Sequence, residues 1–259
     1  MAKTISAPTS DLGDGMSLME HLVELRSRIF KCAIAVAIGA AVGWLVYPAV
    51  FDILVEPLKE LSKNPNVKDK LISLDPLEVF MLRVKMSAYI GLILAMPFLL
   101  WQLWQFIAPG LYQNERRYAS AFVGSATGLF LLGASIAYFT LPQALKFLQS
   151  LGGDNIEYQY SPQKYLMLII YMMVAFGAGF QFPIVVVFLQ LVGIVTPQQL
   201  ASFRRFAIVI IFVVAAVITP SADPISLFAL ALPMTVFYEI SILIGRLVVR
   251  SRAKAEASA

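Results

Sequence analysis

Twenty consecutive residues, Cys32 to Phe51, carry no charge, and five more charge-free apolar stretches follow. They cover residues 86–114, 118–145, 165–203, 206–222 and 224–238. A helix that crosses a hydrocarbon layer of ~30 Å needs ~20 mostly apolar residues. Residues 165–203 are too many for one crossing. Gly193 can end a helix there, and the following "TPQQL" starts another, with Thr196 as cap and Pro197 in first position. The last stretch runs past Glu239 to Gly245. The reading is six spans. Composition agrees: 59% of residues are hydrophobic, 14% are charged, and the mean hydropathy is +0.77. A water-facing surface cannot be built from so few charges, so most of this chain faces lipid.

Lysine and arginine set the orientation. Twelve fall on the side of the two termini and six on the other, with Arg83 and Lys85 inside the start of the second span. The richer side is expected to be cytoplasmic, which puts both termini inside. Residues 1–15 form a polar tail without the apolar run of a secretory signal, and 247–259 a second tail; both are expected to be disordered. Residues 16–246 are then a single membrane domain. The fifth span looks short, since only 13 residues, Phe206–Ile218, separate Arg205 from the following turn. After the first span, Phe51, Leu54, Val55, Leu58 and Leu61 recur at helical spacing. They describe an amphipathic outer cap suited to the membrane surface, with Pro57 expected to break or kink it.

Enzyme signatures are missing. No HExxH, GxSxG or glycine-rich phosphate loop occurs, and one histidine, His21, cannot build a zinc site alone. One cysteine, Cys32, excludes an internal disulfide framework and a thiolate cluster. No metal, cofactor or nucleic-acid partner is expected. Two acids stand near the termini's side. Glu24 has Arg28 four residues on, and Glu115 follows Asn114, an N-cap type. Physics alone reads them as a helix ion pair and a dipole complement. A secondary transporter would need midplane ionisable groups, and an intramembrane enzyme convergent catalytic side chains; the spans offer mainly Gln181.

Five segments in order carry a resemblance. They are "HLVELRSR" (21–28), "FIAPGLYQNERR" (106–117), "AFGAGFQFPIVV" (175–186), "VITPSADP" (217–224) and "LPMTVFYEI" (232–240). Together they resemble the TatC family, the multispanning subunit of the twin-arginine protein translocase. The resemblance implies an all-α, six-helix receptor in the bacterial inner membrane, catalysing no bond-making reaction. It implies that Glu24 and Glu115 bind the arginine pair of signal peptides on folded cargo, with Leu111 and Phe106 supporting that surface. Arg26 is then an electrostatic neighbour, and Arg116 and Arg117 are membrane-side anchors. Gln181 stands where many relatives have glutamate, so it can meet a partner helix by hydrogen bonding but cannot relay a proton. Pro57, Asp223 and Glu239 match family positions with structural roles, Asp223 as N-cap of the sixth span. Leu227 stands where some relatives carry glutamine. The implied partners are TatA-like and TatB-like single-span proteins, further copies of the chain, and the bilayer. Export would be driven by the proton-motive force.

Overall fold

The computed structural model describes residues 18–61, 71–107, 119–152, 156 and 158–257. Through them the chain forms α1 Leu18–Leu61, α2 Glu78–Ile107, α3 Ala119–Ser150, α4 Pro162–Gly179, α5 Phe182–Leu191, α6 Pro197–Ile218 and α7 Pro224–Ala257. Six stretches are long and apolar enough to cross a membrane, because α4 and α5 together make one, Pro162–Leu191. The expected residues 1–15 tail lies outside the described residues.

Local chemistry explains the boundaries. Pro183 has no N–H to give the Gly179 carbonyl and its ring crowds it, so the fourth span turns at Phe180 and Gln181 and restarts as α5. Gly193 follows with φ at 80°, a conformation only glycine takes freely. Thr196 then caps α6: its hydroxyl accepts from Gln199 N at 3.2 Å, and Gln199 Oε1 accepts from Thr196 N at 2.8 Å. Asp223 does the same for α7. Its Oδ1 accepts from Ser226 N at 2.7 Å, Ser221 donates to its Oδ2, and Pro224 opens the helix. Asp223→Ala should cost about 1–2 kcal/mol, seen as a lower melting temperature in detergent. Asp223→Asn, which keeps the acceptor, should recover most of that loss.

Two prolines sit inside α1, and neither ends it. Pro57 was expected to break or kink the outer segment, yet the helix runs on to Leu61. The reason lies on α3. Pro57 leaves the Ile53 carbonyl without its helical donor, and the Tyr138 hydroxyl donates to it instead at 2.8 Å. Pro48 likewise frees the Trp44 carbonyl, which accepts from an Arg83 Nη at 3.1 Å. Neighbouring helices thus satisfy the carbonyls that proline strands in a low-dielectric layer. The outer segment also differs from a surface cap in its burial. Leu54, Pro57 and Leu58 are buried, and Leu54 and Leu58 pack in the core with Tyr165, Leu166 and Leu141.

α1 and α2 form the tightest seam. A side-chain carbon added to Gly39 would lie 2.6 Å from the Gly91 carbonyl oxygen, and one on Gly91 would lie 2.7 Å from Ala40 Cα. The backbones touch because these positions lack side chains, the small-xxx-small device of Gly39 and Gly43. α3 packs on α4, and α7 packs against α3, α5 and α6. Phe130, Phe176, Phe180, Tyr165 and Met172 are among the largest side chains fully buried in the interior. At the end opposite Glu24, the Glu78 carboxylate ties α2 to the start of α4. It accepts from the Ser161 hydroxyl, from Ser73 Oγ at 2.8 Å and from Gln163 N at 3.2 Å.

α6 is 22 residues long. Its short apolar part stands as expected, because Arg204 and Arg205 occupy its early turns. One stripe of it, Phe206, Val209, Val213 and Val217, is between 57% and 80% exposed, as a lipid-facing or partner-facing surface requires. At the other terminus, residues 247–257, expected as a tail, continue α7 as helix. Their alanines, arginines, lysine and glutamate are strong helix formers.

Candidate functional site

Glu24 lies in the second turn of α1, beside the last turns of α2. Arg28 stands one turn further on, where i and i+4 side chains meet. Its Nε and one Nη donate to Glu24 Oε1 at 2.9 and 2.5 Å. The same guanidinium reaches across to α2. It donates to Gln102 Oε1 at 3.1 Å, to Gln105 Oε1 at 2.9 Å and to the Gln105 carbonyl at 3.3 Å. Gln102 and Gln105 are three apart, so they share a helical face and present a matched pair of acceptors. Arg28 therefore works as a clamp that fixes α1 against α2 and aims the Glu24 carboxylate.

The clamp uses one carboxylate oxygen. Glu24 Oε2 is shielded from solvent and has no hydrogen-bond partner among the described residues. Beside it opens a cavity of about 480 Å³ lined by Met19, Val23, Glu24, Ser27, Arg28 and Lys31, with Gln105 closing one side. An anionic oxygen left without a donor has hydrogen-bonding capacity to spare. The bare helix ion pair foreseen from sequence is present, but as half of the arrangement.

Phe106 follows Gln105 at the end of α2. Its ring stacks on His21 with centroids 4.3 Å apart and planes at 22°. The pair closes the start of α1 against the end of α2. Arg26, two residues from Glu24, is exposed. Leu111 and Glu115, with Arg116 and Arg117, lie outside the described residues. Gln181, at the turn between α4 and α5, donates from Nε2 to the Ala126 carbonyl on α3 at 2.9 Å. Glu239 pairs with Arg204 of α6 at 2.8 Å, both sides about half exposed. Pro57 and Asp223 lie at the far end and serve the fold as described above.

Three functional-looking amides escaped the sequence reading. Gln102 and Gln105 form the clamp. Gln190, buried in α5, donates from Nε2 to Ser241 O at 2.9 Å and to Val186 O at 3.3 Å. It lies against α7 where Gly245 has no side chain to displace it. The available signal was an amide inside an otherwise apolar helix, where polar groups need partners.

The family description "Sec-independent protein translocase protein (TatC)" matches residues 20–233. The Sec-independent protein translocase protein TatC of Aquifex aeolicus (strain VF5) is 42% identical over 243 residues, covering 92% of this chain and 98% of its own length. The chain belongs to the TatC family. The TatC of Magnetococcus marinus is 38% identical over 249 residues, covering 96% of this chain and 90% of that protein. A crystal structure of the twin arginine translocase receptor TatC aligns with a TM-score of 0.71 at 41% identity, over 89% of this chain and 100% of that one. A second, in DDM, gives 0.73 at 42% identity over 87% and 99%. The chain is accordingly a receptor subunit of the twin-arginine translocase, a transport protein and not an enzyme. TatC works within a translocation complex with other Tat proteins, as a multi-span protein consistent with the bacterial inner membrane.

Proposed function

We propose that the Glu24 cavity receives the arginine pair of a signal peptide at the cytoplasmic face, with both termini on that side. The unpartnered Glu24 Oε2 carries this reading. A guanidinium stays charged at cellular pH and offers a planar fork to a carboxylate. The cavity also holds Arg28 and Lys31. One carboxylate against two cations leaves it short of negative charge, so a second acid is required. Glu115, between α2 and α3 in the sequence, supplies that acid, and Leu111 and Phe106 pack against the peptide beside the arginines. Orientation follows from the excess of basic residues at this end. A photocrosslinker at position 115 tests the reading in native membranes. It should capture an arginine-arginine peptide and fail with the lysine-lysine version; equal capture of both rejects the site.

We further assign the exposed stripe of α6, with Gln181, to single-span TatA-like and TatB-like partners. Those partners would be gathered with other copies of the chain for proton-motive-force-driven export. The Ala126 carbonyl that Gln181 meets lies within α3. Gln181→Leu should therefore cost no more than about 1 kcal/mol in stability, the usual scale of an interhelical bond in lipid. Co-purification of a single-span partner should fall several-fold, whereas unchanged co-purification leaves Gln181 with internal packing alone.

A further inference from the structure

Arg83 is a charged side chain inside a membrane-spanning helix, and among the described residues no carboxylate pairs with it. It sits in the second turn of α2. Its guanidinium lies 4.3 Å from the centroid of the Trp44 ring and 5.2 Å from that of Tyr47. One Nη serves the Trp44 carbonyl that Pro48 frees, and the Nε is shielded with no acceptor among the described residues. Phe80, one turn before Arg83, meets Trp44 edge-on at 6.4 Å. Aromatic faces attract a cation but do not cancel its charge. An unneutralised charge in a span is costly, so such residues take an ionic partner or reach the headgroup layer.

Depth identifies the anion. Gln102 takes part in the clamp at the Glu24 end. It follows Arg83 by nineteen residues on the same helix. That is about 28 Å at the helical rise, close to one hydrocarbon thickness of ~30 Å. The clamp and Arg83 therefore mark opposite interfaces. Trp44 and Tyr47 are the residue types that gather at headgroup level. On the mid-bilayer side of Trp44, Val42 and Ile38 of α1 are 43% and 63% exposed, an apolar track leading away from the charge.

We propose that Arg83, Trp44, Tyr47 and Phe80 bind the phosphate of an anionic phospholipid in the leaflet opposite the Glu24 end. The guanidinium takes the phosphate oxygens, the rings flank the headgroup, and the acyl chains follow the exposed face of α1 and α2. The lipid neutralises Arg83 and braces α1 where Pro48 has removed a backbone bond.

Native mass spectrometry of detergent-released protein tests this, with phosphatidylglycerol and phosphatidylcholine of identical chains supplied together. The chain should retain phosphatidylglycerol preferentially. Arg83→Gln should reduce that retention about tenfold, the scale of one charge-assisted contact. Arg205→Gln, an exposed arginine at the other end, should leave it unchanged. Equal loss in both variants, or equal retention of both lipids, overturns the proposal. So does inorganic phosphate binding as tightly as the lipid, which would make this a soluble-anion site. A second measurement needs no charge variant: brominated phosphatidylglycerol should quench tryptophan emission more than brominated phosphatidylcholine, and Trp44→Phe should remove the difference. Identical quenching by the two lipids again overturns it.

Discussion

Glu24→Gln should weaken capture of a twin-arginine signal peptide about tenfold while leaving the melting temperature nearly unchanged. A hydrogen bond to a charged group contributes about 1.5–3 kcal/mol when shielded. The Glu24 side chain is 24% exposed, so the lower end applies. That lower end, about 1.5 kcal/mol, is close to one factor of ten in affinity. Glutamine keeps a carbonyl oxygen for Arg28, so the clamp to Gln102 and Gln105 should survive. What disappears is the charge on Oε2. Discrimination is the sharper readout. The ratio of arginine-pair to lysine-pair capture should fall toward one, because the fork has lost its carboxylate. Arg28→Gln tests the clamp directly. It releases α1 from α2 and leaves the Glu24 carboxylate unaimed, so melting temperature and peptide capture should both drop. Capture should also weaken with salt, since exposed charge pairs are screened within ~8 Å at physiological ionic strength. Unaltered discrimination in Glu24→Gln would remove this residue from recognition.

Much of this fold was legible in the chain because hydropathy and helix punctuation are local signals. The six spans follow from charge-free runs. Thr196, Pro197 and Gly193 announce their turn within seven residues, and Asp223 before Pro224 announces the next helix. The signals that failed are those whose partner is distant in sequence. Pro57 looks like a breaker until Tyr138 donates to the stranded Ile53 carbonyl from 85 residues along the chain. The paired acceptors Gln102 and Gln105 read as noise in an apolar run until Arg28 reaches them across 74 and 77 residues. Gln190 is similar, for its acceptor Ser241 O lies on another helix. The site was therefore half legible. The sequence pattern pointed to Glu24 as an acid near Arg28, but the carboxylate oxygen that Arg28 leaves unpaired is visible only once α1 and α2 are packed together.

The same seam carries the largest stability effect. Gly91→Leu should abolish the folded state in detergent, with a loss above about 3 kcal/mol, since overpacking a tight core commonly costs 1–3 and here nothing can yield. Its first added carbon would strike Ala40 Cα at 2.7 Å and the Gly39 carbonyl carbon at 2.7 Å, both backbone atoms of α1. A flexible neighbour could move aside; a hydrogen-bonded helix backbone can only be pushed away as a body. Even Gly91→Ala should lower the melting temperature measurably. Gly124 and Gly128 on α3 provide the contrast, because a carbon added at either meets nothing within 4 Å. Alanine at those positions should be tolerated or slightly stabilising, as it limits the unfolded chain's freedom. Thermal unfolding followed by fluorescence-detected gel filtration distinguishes the two sites. The consequence for recognition is direct. Separating α1 from α2 pulls Arg28 from Gln102 and Gln105, so a surviving Gly91→Ala protein should also capture signal peptide less well, although the change lies well away from Glu24 along the helices. Normal capture by a strongly destabilised Gly91→Ala would mean that Glu24 acts without the clamp.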